Sequence, residues 1–178
     1  MQPADTRRNI ATRLPDPKAK ETMARKPTHE DAQLILKLYD LRREPEMRKT
    51  RNWWLTGFWP RSIDDLMAIT QSPGAPENAW FRQGISYWGM ASSFVNQGVL
   101  SESLFLRPAF SGEMFFIFAK VQPFVKEFRE KVGDPEAFQD MEEVVTRTKW
   151  SRERLKFLMK RIEVWRERVA PKEQIART

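Results

Sequence analysis

The chain has no cysteine and a single histidine, His29. Without cysteine there is no disulfide scaffold, no thiolate metal site and no cysteine nucleophile. One histidine is too few for the paired Glu-x-x-His sites of metal-binding helical bundles, and it leaves little room for zinc, haem or triad chemistry. The seven glycines among 178 residues are scattered singly, so no glycine cluster is available to cradle a phosphate between a strand and a helix. Long apolar runs are missing as well. The richest stretch, Met114 to Val125, is broken by Lys120, Gln122 and Pro123, well short of the roughly 20 apolar residues that span a bilayer. Residues 1 to 22 hold no apolar run of the kind a secretory signal needs. These absences give a soluble chain, expected in the cytoplasm, with no membrane partner and no cofactor.

What is present is enough for a folded domain. Hydrophobic residues make up 40% and aromatic residues 12% of the chain, a globular rather than a disordered composition. The net charge of +7 is unevenly placed. Residues 1 to 60 carry a net +5, 61 to 100 a net −1, 101 to 146 a net −4 and 147 to 178 a net +7. Basic ends around an acidic middle suit either an anionic partner or a basic helix packed beside an acidic one.

Residues 1 to 26 combine Pro3, Pro15 and Pro17 with seven Lys or Arg and few large apolar side chains. They cannot bury enough surface to offset the entropy of ordering, which predicts a disordered basic tail. Met23 is an alternative start. The helical domain is expected over 27 to 170, followed by a flexible end over 171 to 178.

Within that domain every segment reads as helix. Thr28 with Asp31 three residues on is a capping pair ahead of a helix with Ala32, Ile35, Leu36 and Tyr39 on one side and Leu34, Leu38 and Leu41 beside it, a face wide enough to predict burial against more than one neighbour. Pro45 suits the first turn of a second helix carrying Met47, Trp54 and Phe58, and Ser62 with Asp65 opens a third. From Glu77 to Gln97 aromatic and small residues recur at helical spacing, which predicts a central helix buried nearly all round. A short helix over Val99 to Leu106 is expected to stop at Pro108, with Ser111 capping a long helix bent near Pro123 and ending before Gly133. Asp134 and Pro135 predict the start of the next helix, and Leu155, Leu158, Ile162, Trp165 and Val169 mark a final one from about Ser151. No strand-like alternation exceeds four residues. The fold class is all-α, a single-domain bundle of seven to eight helices.

Three stretches carry a resemblance. Tyr87-Trp88-Gly89-Met90 leads through Asn96 to Glu102, Pro123 to Arg129 follows, and Gly133-Asp134-Pro135 runs on to Glu142. Over about residues 30 to 146 the sequence resembles a broad group of small bacterial all-helical proteins known only as domains of unknown function. The resemblance implies a helical fold and brings no catalytic residue with it.

Catalytic constellations are sparse. Asp64 with Asp65, and Glu142 with Glu143, are adjacent acid pairs, but neighbours along a helix point about 100° apart and do not converge on one atom. His29 falls in a capping turn and reads as a surface residue. Ser92 and Ser93 read as small residues that permit close helix approach.

Two segments are candidates for an anion or nucleic-acid surface. The first runs from Arg48 to Arg61, where Arg48, Lys49 and Arg51 precede Trp53, Trp54, Phe58 and Trp59. Cations that track phosphates, interleaved with rings that stack on bases, are the means by which single strands are held. The helical register also places Met47, Trp54 and Phe58 on one side, which is a core reading. The second is a ridge formed by Lys149, Arg152, Lys156 and Lys160, where like charges four apart oppose helix formation unless something offsets them. The acids Glu136, Asp140, Glu142 and Glu143 of the preceding helix are the nearest internal candidates, and an external anion is the alternative. The seam Leu155, Leu158, Ile162, Trp165 and Val169 serves as core or as an apolar interface with a partner.

The preferred functional expectation is a non-enzymatic helical module that binds a protein partner or self-associates. Nucleic-acid association through the two basic segments comes second. An enzyme or small-molecule binder with an apolar pocket near Trp80, Trp88 and Phe94 comes third.

Overall fold

A computed structural model describes residues 25–169, and among these there is no strand. The helices are α1 (His29–Leu41), α2 (Pro45–Asn52), α3 (Ile63–Thr70), α4 (Pro76–Asn96), α5 (Glu102–Phe105), α6 (Pro108–Val121), α7 (Val125–Val132), α8 (Gln139–Arg147) and α9 (Lys149–Val169). Since α5 is a single four-residue turn, eight helices have two turns or more, in line with the expected all-α bundle.

Local chemistry sets several of these boundaries. Thr28 accepts from the Asp31 backbone N–H while the Asp31 carboxylate accepts from the Thr28 N–H, and Ser62 and Asp65 do the same at α3. Gly133 closes α7 with φ 69°, a left-handed conformation that costs glycine little.

Elsewhere the structure departs from expectation, first on α1, where Ile35 and Leu38 are buried and Leu34 partly so, while Ala32, Leu36, Tyr39 and Leu41 face solvent, a narrower buried face than their spacing predicts. Pro108 does not end a helix but occupies the first turn of α6, and Ser111 lies buried one turn inside it. A proline with φ near −65° and no N–H suits that first turn as well as it suits a stop. Residues 135–138 are a turn, so α8 begins at Gln139 and not at Pro135. Phe138, with φ 64°, is the cause: that conformation sets its ring into the core against Phe81 and Phe128. The helix from Pro45 does not run regularly to Phe58 either, because Trp53–Gly57 widen into a π turn.

Helix α4 packs against α2, α3 and α8, and α6 packs against α8 and α9. The expected all-round burial belongs to α6, whose residues Met114 to Val121 are buried except for the partly exposed Phe116. On α4 a stripe through Ala79, Arg82, Ser86 and Met90 faces solvent. Ser92 of α4 is fully buried and donates to the Met114 sulfur of α6 at 3.1 Å, which ties the two helices at that point. Gly84 serves a similar purpose, since a Cβ there would lie 2.2 Å from the Trp54 indole Nε1.

The disordered tail expected over residues 1 to 26 falls largely outside the described residues, as does the end over 171 to 178. Its last part does not conform: Arg25 grips the buried Asp31 carboxylate at 2.6 Å and the Val99 carbonyl at 3.0 Å. This anchors the chain to the α4–α5 connection.

Candidate functional site

The buried polar groups come first, because an unpaired one would be the simplest sign of chemistry. Asp31, with no exposed side-chain surface, accepts from Arg25, from Thr28 and from the Ser101 N–H at 2.8 Å. The Arg25 guanidinium holds its carboxyl well below the usual carboxylate range. Glu113 of α6 is gripped at 2.8 Å by both Arg42 and Arg51, which ties α6 to α2 and to the end of α1. Tyr87 donates to the Leu38 carbonyl at 2.7 Å, and burial pushes its hydroxyl up to about 12.

Lys120 is the exception, a fully buried cation with no carboxylate on it. Its Nζ donates to the Trp54 carbonyl at 2.5 Å and the Phe58 carbonyl at 2.7 Å, and lies 3.6 Å from the Trp59 ring centre and 4.8 Å from that of Phe116. Burial, and then the Arg166 charge, pull its ammonium down to about 7. Arg166 in turn donates to the Lys120 carbonyl at 2.6 Å. The Lys120 side chain therefore joins α6 to the π turn, and the Arg166 side chain joins α9 to α6 at the same residue. A lysine with a lowered pKa beside a π turn has the look of a reactive group. Lys120 has no solvent-accessible surface, so its contacts are those of a structural clamp.

The Arg48 to Arg61 segment is divided between surface and core. Trp54 and Phe58 are buried and Trp53 stacks on Phe58 at 4.6 Å. Trp59 is half-buried between Lys120 and Trp165. Arg51 is committed to Glu113, and Lys49 pairs with Glu46 at 2.7 Å, while Arg48 is exposed. The rings that would stack on bases thus face the interior or one another, away from the cations.

On α9 the seam points inward. Leu155 and Ile162 are buried, Leu158 is half-buried, and Trp165 meets Trp59 and Phe116 edge-on or tilted at about 6 Å. The Val169 side chain lies outside the described residues. The ridge points outward. Lys149 is 87% exposed with only Glu153 4.0 Å away, and Arg152 donates to the carbonyls of Thr146 and Arg147 at the end of α8. Lys156 and Lys160 are exposed and form no ion pair among the described residues. Pairing with the acids of α8 does not occur: Glu142 is taken by Arg129 at 2.7 Å, Asp140 by Asn96 at 2.8 Å, and Glu143 by Arg147 and Gln139. Glu136 precedes α8 and is exposed.

A feature missed in the sequence lies beside that ridge. Trp150, Phe157 and Val164, at intervals of seven, are 42%, 54% and 45% exposed. They form one stripe along α9, about 21 Å long at 1.5 Å per residue, with the Trp150 ring edge-on to the buried Phe115 ring at 5.8 Å and Phe157 and Val164 turned to solvent. Their spacing is visible in the sequence, but the inward seam accounts for the helix by itself.

No group of three or more His, Cys, Asp or Glu side chains that could hold a metal is found among the described residues. Trp80, Trp88 and Phe94 do not share a pocket. Trp88 borders a crevice of about 10 Å³ with Tyr87 and Arg42, room for about one water. A shallow groove of about 280 Å³ lies between α4 and α8 over Gly89, Phe138 and Asp140. No described helix is long and apolar enough to cross a membrane.

Residues 27–150 match the family described as a domain of unknown function, DUF4760. The chain belongs to that family. The DUF4760 match covers α1 to α8 and reaches only the first residues of α9, so the seam, the ridge beyond Lys149 and the stripe beyond Trp150 lie outside it. Comparison with curated proteins and with solved structures gives no match.

Proposed function

We propose that the chain is a non-enzymatic protein-interaction module whose docking surface is the outer face of α9. The observation that carries this reading is the Trp150, Phe157 and Val164 stripe. Single exposed apolar residues are ordinary on a protein surface, but three in helical register with two aromatic rings among them form a continuous contact line. The interior supports the same reading. Its charged groups Asp31, Glu113 and Lys120 are all engaged in holding helices together.

Photo-crosslinking in the producing cell tests the proposal. A photoreactive amino acid at position 157 is expected to give a light-dependent adduct of defined mass with a protein. The same amino acid at Lys126, exposed on α7, is expected to give none. Absence of any protein adduct at 157 refutes the module.

A nucleic-acid reading draws on exposed cations, Lys156 and Lys160 with Lys149 and Arg48, without base-stacking rings, since the Arg48 to Arg61 rings are turned inward. It requires a nuclease-sensitive adduct at 157 and duplex affinity falling by about 0.9 log unit per log unit of salt for each phosphate neutralised.

A further inference from the structure

Resting on that reading, we infer that the occupant of the α9 face is an acidic amphipathic helix of a different protein. Three observations lead there. The spacing is the first: apolar residues at 150, 157 and 164 recur at one heptad position, with Glu153, Arg154, Lys160 and Arg161 between them, so they keep to one side of α9 and give a line along which a second helix can lie.

The second is charge. Residues 149 to 161 carry six cations, Lys149, Arg152, Arg154, Lys156, Lys160 and Arg161, against the single acid Glu153. Two of these arginines lie beside the stripe itself. The Arg154 guanidinium sits 5.6 Å from the Trp150 ring centre, and that of Arg161 sits 5.6 Å from the Phe157 ring centre. The third is that, among the described residues, the acids of the neighbouring helix α8 do not cover this face, being held elsewhere. Residues 1–24 carry five cations against three anions, and residues 170–178 two against one, so neither end complements the ridge.

The alternatives fit less well. A second copy laid along the stripe would set six cations against six. A bilayer favours a broad apolar face, whereas this stripe is one residue wide, with Glu153, Glu163 and Glu167 exposed on the same outer side. Duplex phosphates would use the lysines and leave Phe157 and Val164 without a role.

The test uses the full chain and two synthetic 21-residue peptides. Both carry leucine at heptad a and d positions, one with glutamate and the other with lysine at the flanking e and g positions. The glutamate peptide is expected to bind, Phe157→Ser to weaken it about tenfold, and raised salt to weaken it further. The double variant Lys156→Glu/Lys160→Glu is expected to lose the glutamate peptide and gain the lysine one. Circular dichroism checks that each variant is folded, which these exposed positions allow.

No binding of the glutamate peptide, or equal binding of its lysine twin, overturns the inference. So does comparable Phe157-dependent binding to vesicles of equal phosphatidylcholine and phosphatidylglycerol or to a 20-base-pair duplex. A concentration-dependent dimer abolished by Phe157→Ser identifies a second copy as the occupant, which overturns the acidic helix but leaves the interaction module standing.

Discussion

Replacing Lys120 with methionine separates the cost of its charge from the value of its hydrogen bonds. In the unfolded chain the ammonium titrates at 10.5, and in the fold burial and the Arg166 charge bring it to about 7. Between those values the unfolded chain holds a proton that the folded one does not, so stability rises with pH. The slope is about 1.4 kcal/mol per pH unit, and the whole interval adds about 5 kcal/mol. That contribution is complete above pH 10.5 and gone once the pH falls through about 7. The neutral amine still has two N–H donors for the Trp54 and Phe58 carbonyls. Methionine matches the stem, cannot titrate, and leaves both carbonyls without that donor, at about 1 to 3 kcal/mol each.

The variant is therefore expected to be less stable than the natural chain at pH 9.5, by a margin that shrinks by about 1.4 kcal/mol per pH unit as the pH falls towards 7. A high-pH deficit of about 2 kcal/mol makes the two curves cross near pH 9, and one above about 5 kcal/mol keeps them from crossing. Urea unfolding of both proteins at half-unit steps reads this directly. The charged groups around Lys120 are Arg166 on α9 and, about Arg166, Glu163, Arg61 and Asp65. All are present in both proteins, so the difference isolates the lysine. A difference that stays flat with pH would falsify the argument, and it would mean that the carbonyls and the Trp59 ring hold the ammonium charged throughout.

Four further outcomes follow from the packing. Gly84→Ala drives a Cβ into the Trp54 indole and should cost about 1 to 3 kcal/mol by urea midpoint. Glu113→Gln leaves Arg42 and Arg51 facing each other without their carboxylate; a loss of about 3 to 5 kcal/mol is expected by thermal or urea unfolding. Asp31→Asn removes the charge that faces Arg25 and replaces one of the two acceptor oxygens with an NH2 donor, and it should flatten the fall in stability as the pH drops below about 4, because a carboxyl held low in the fold stabilises only while ionised. Phe157→Ser should change stability by less than about 0.5 kcal/mol, which makes it a clean probe of docking.

The sequence announces its helices where local chemistry is strong. The Thr28/Asp31 and Ser62/Asp65 boxes, the proline at position 45 and the glycine at 133 stand where their capping and turn preferences put them. It misleads where tertiary packing overrides a local preference. Pro108 fits a start and a stop equally, and the Asp134-Pro135 cap gives way because the core takes the Phe138 ring. Lys120 offers a faint signal, a lone cation on a helix that is apolar at Phe115 to Ala119 and at Val121. Its partners are backbone carbonyls 62 and 66 residues away, which no side-chain pattern encodes. The α9 face is the harder case. Charge counting shows cations in search of anions, and only the structure shows that the acids of α8 are already occupied.

The π turn at Trp53–Gly57 bears on how the gene can change length. There the Phe58 N–H reaches back five residues to the Trp53 carbonyl, one more than in α2. Removing one residue would tighten the turn and rotate everything after it by about 100° relative to α2. That would carry the Phe58 carbonyl away from Lys120 and swing Trp59 off its nitrogen. Single-residue deletions in this segment should therefore be excluded, whereas the exposed Ser72 to Gly74 turn, which makes no such long-range contact among the described residues, should admit insertions freely.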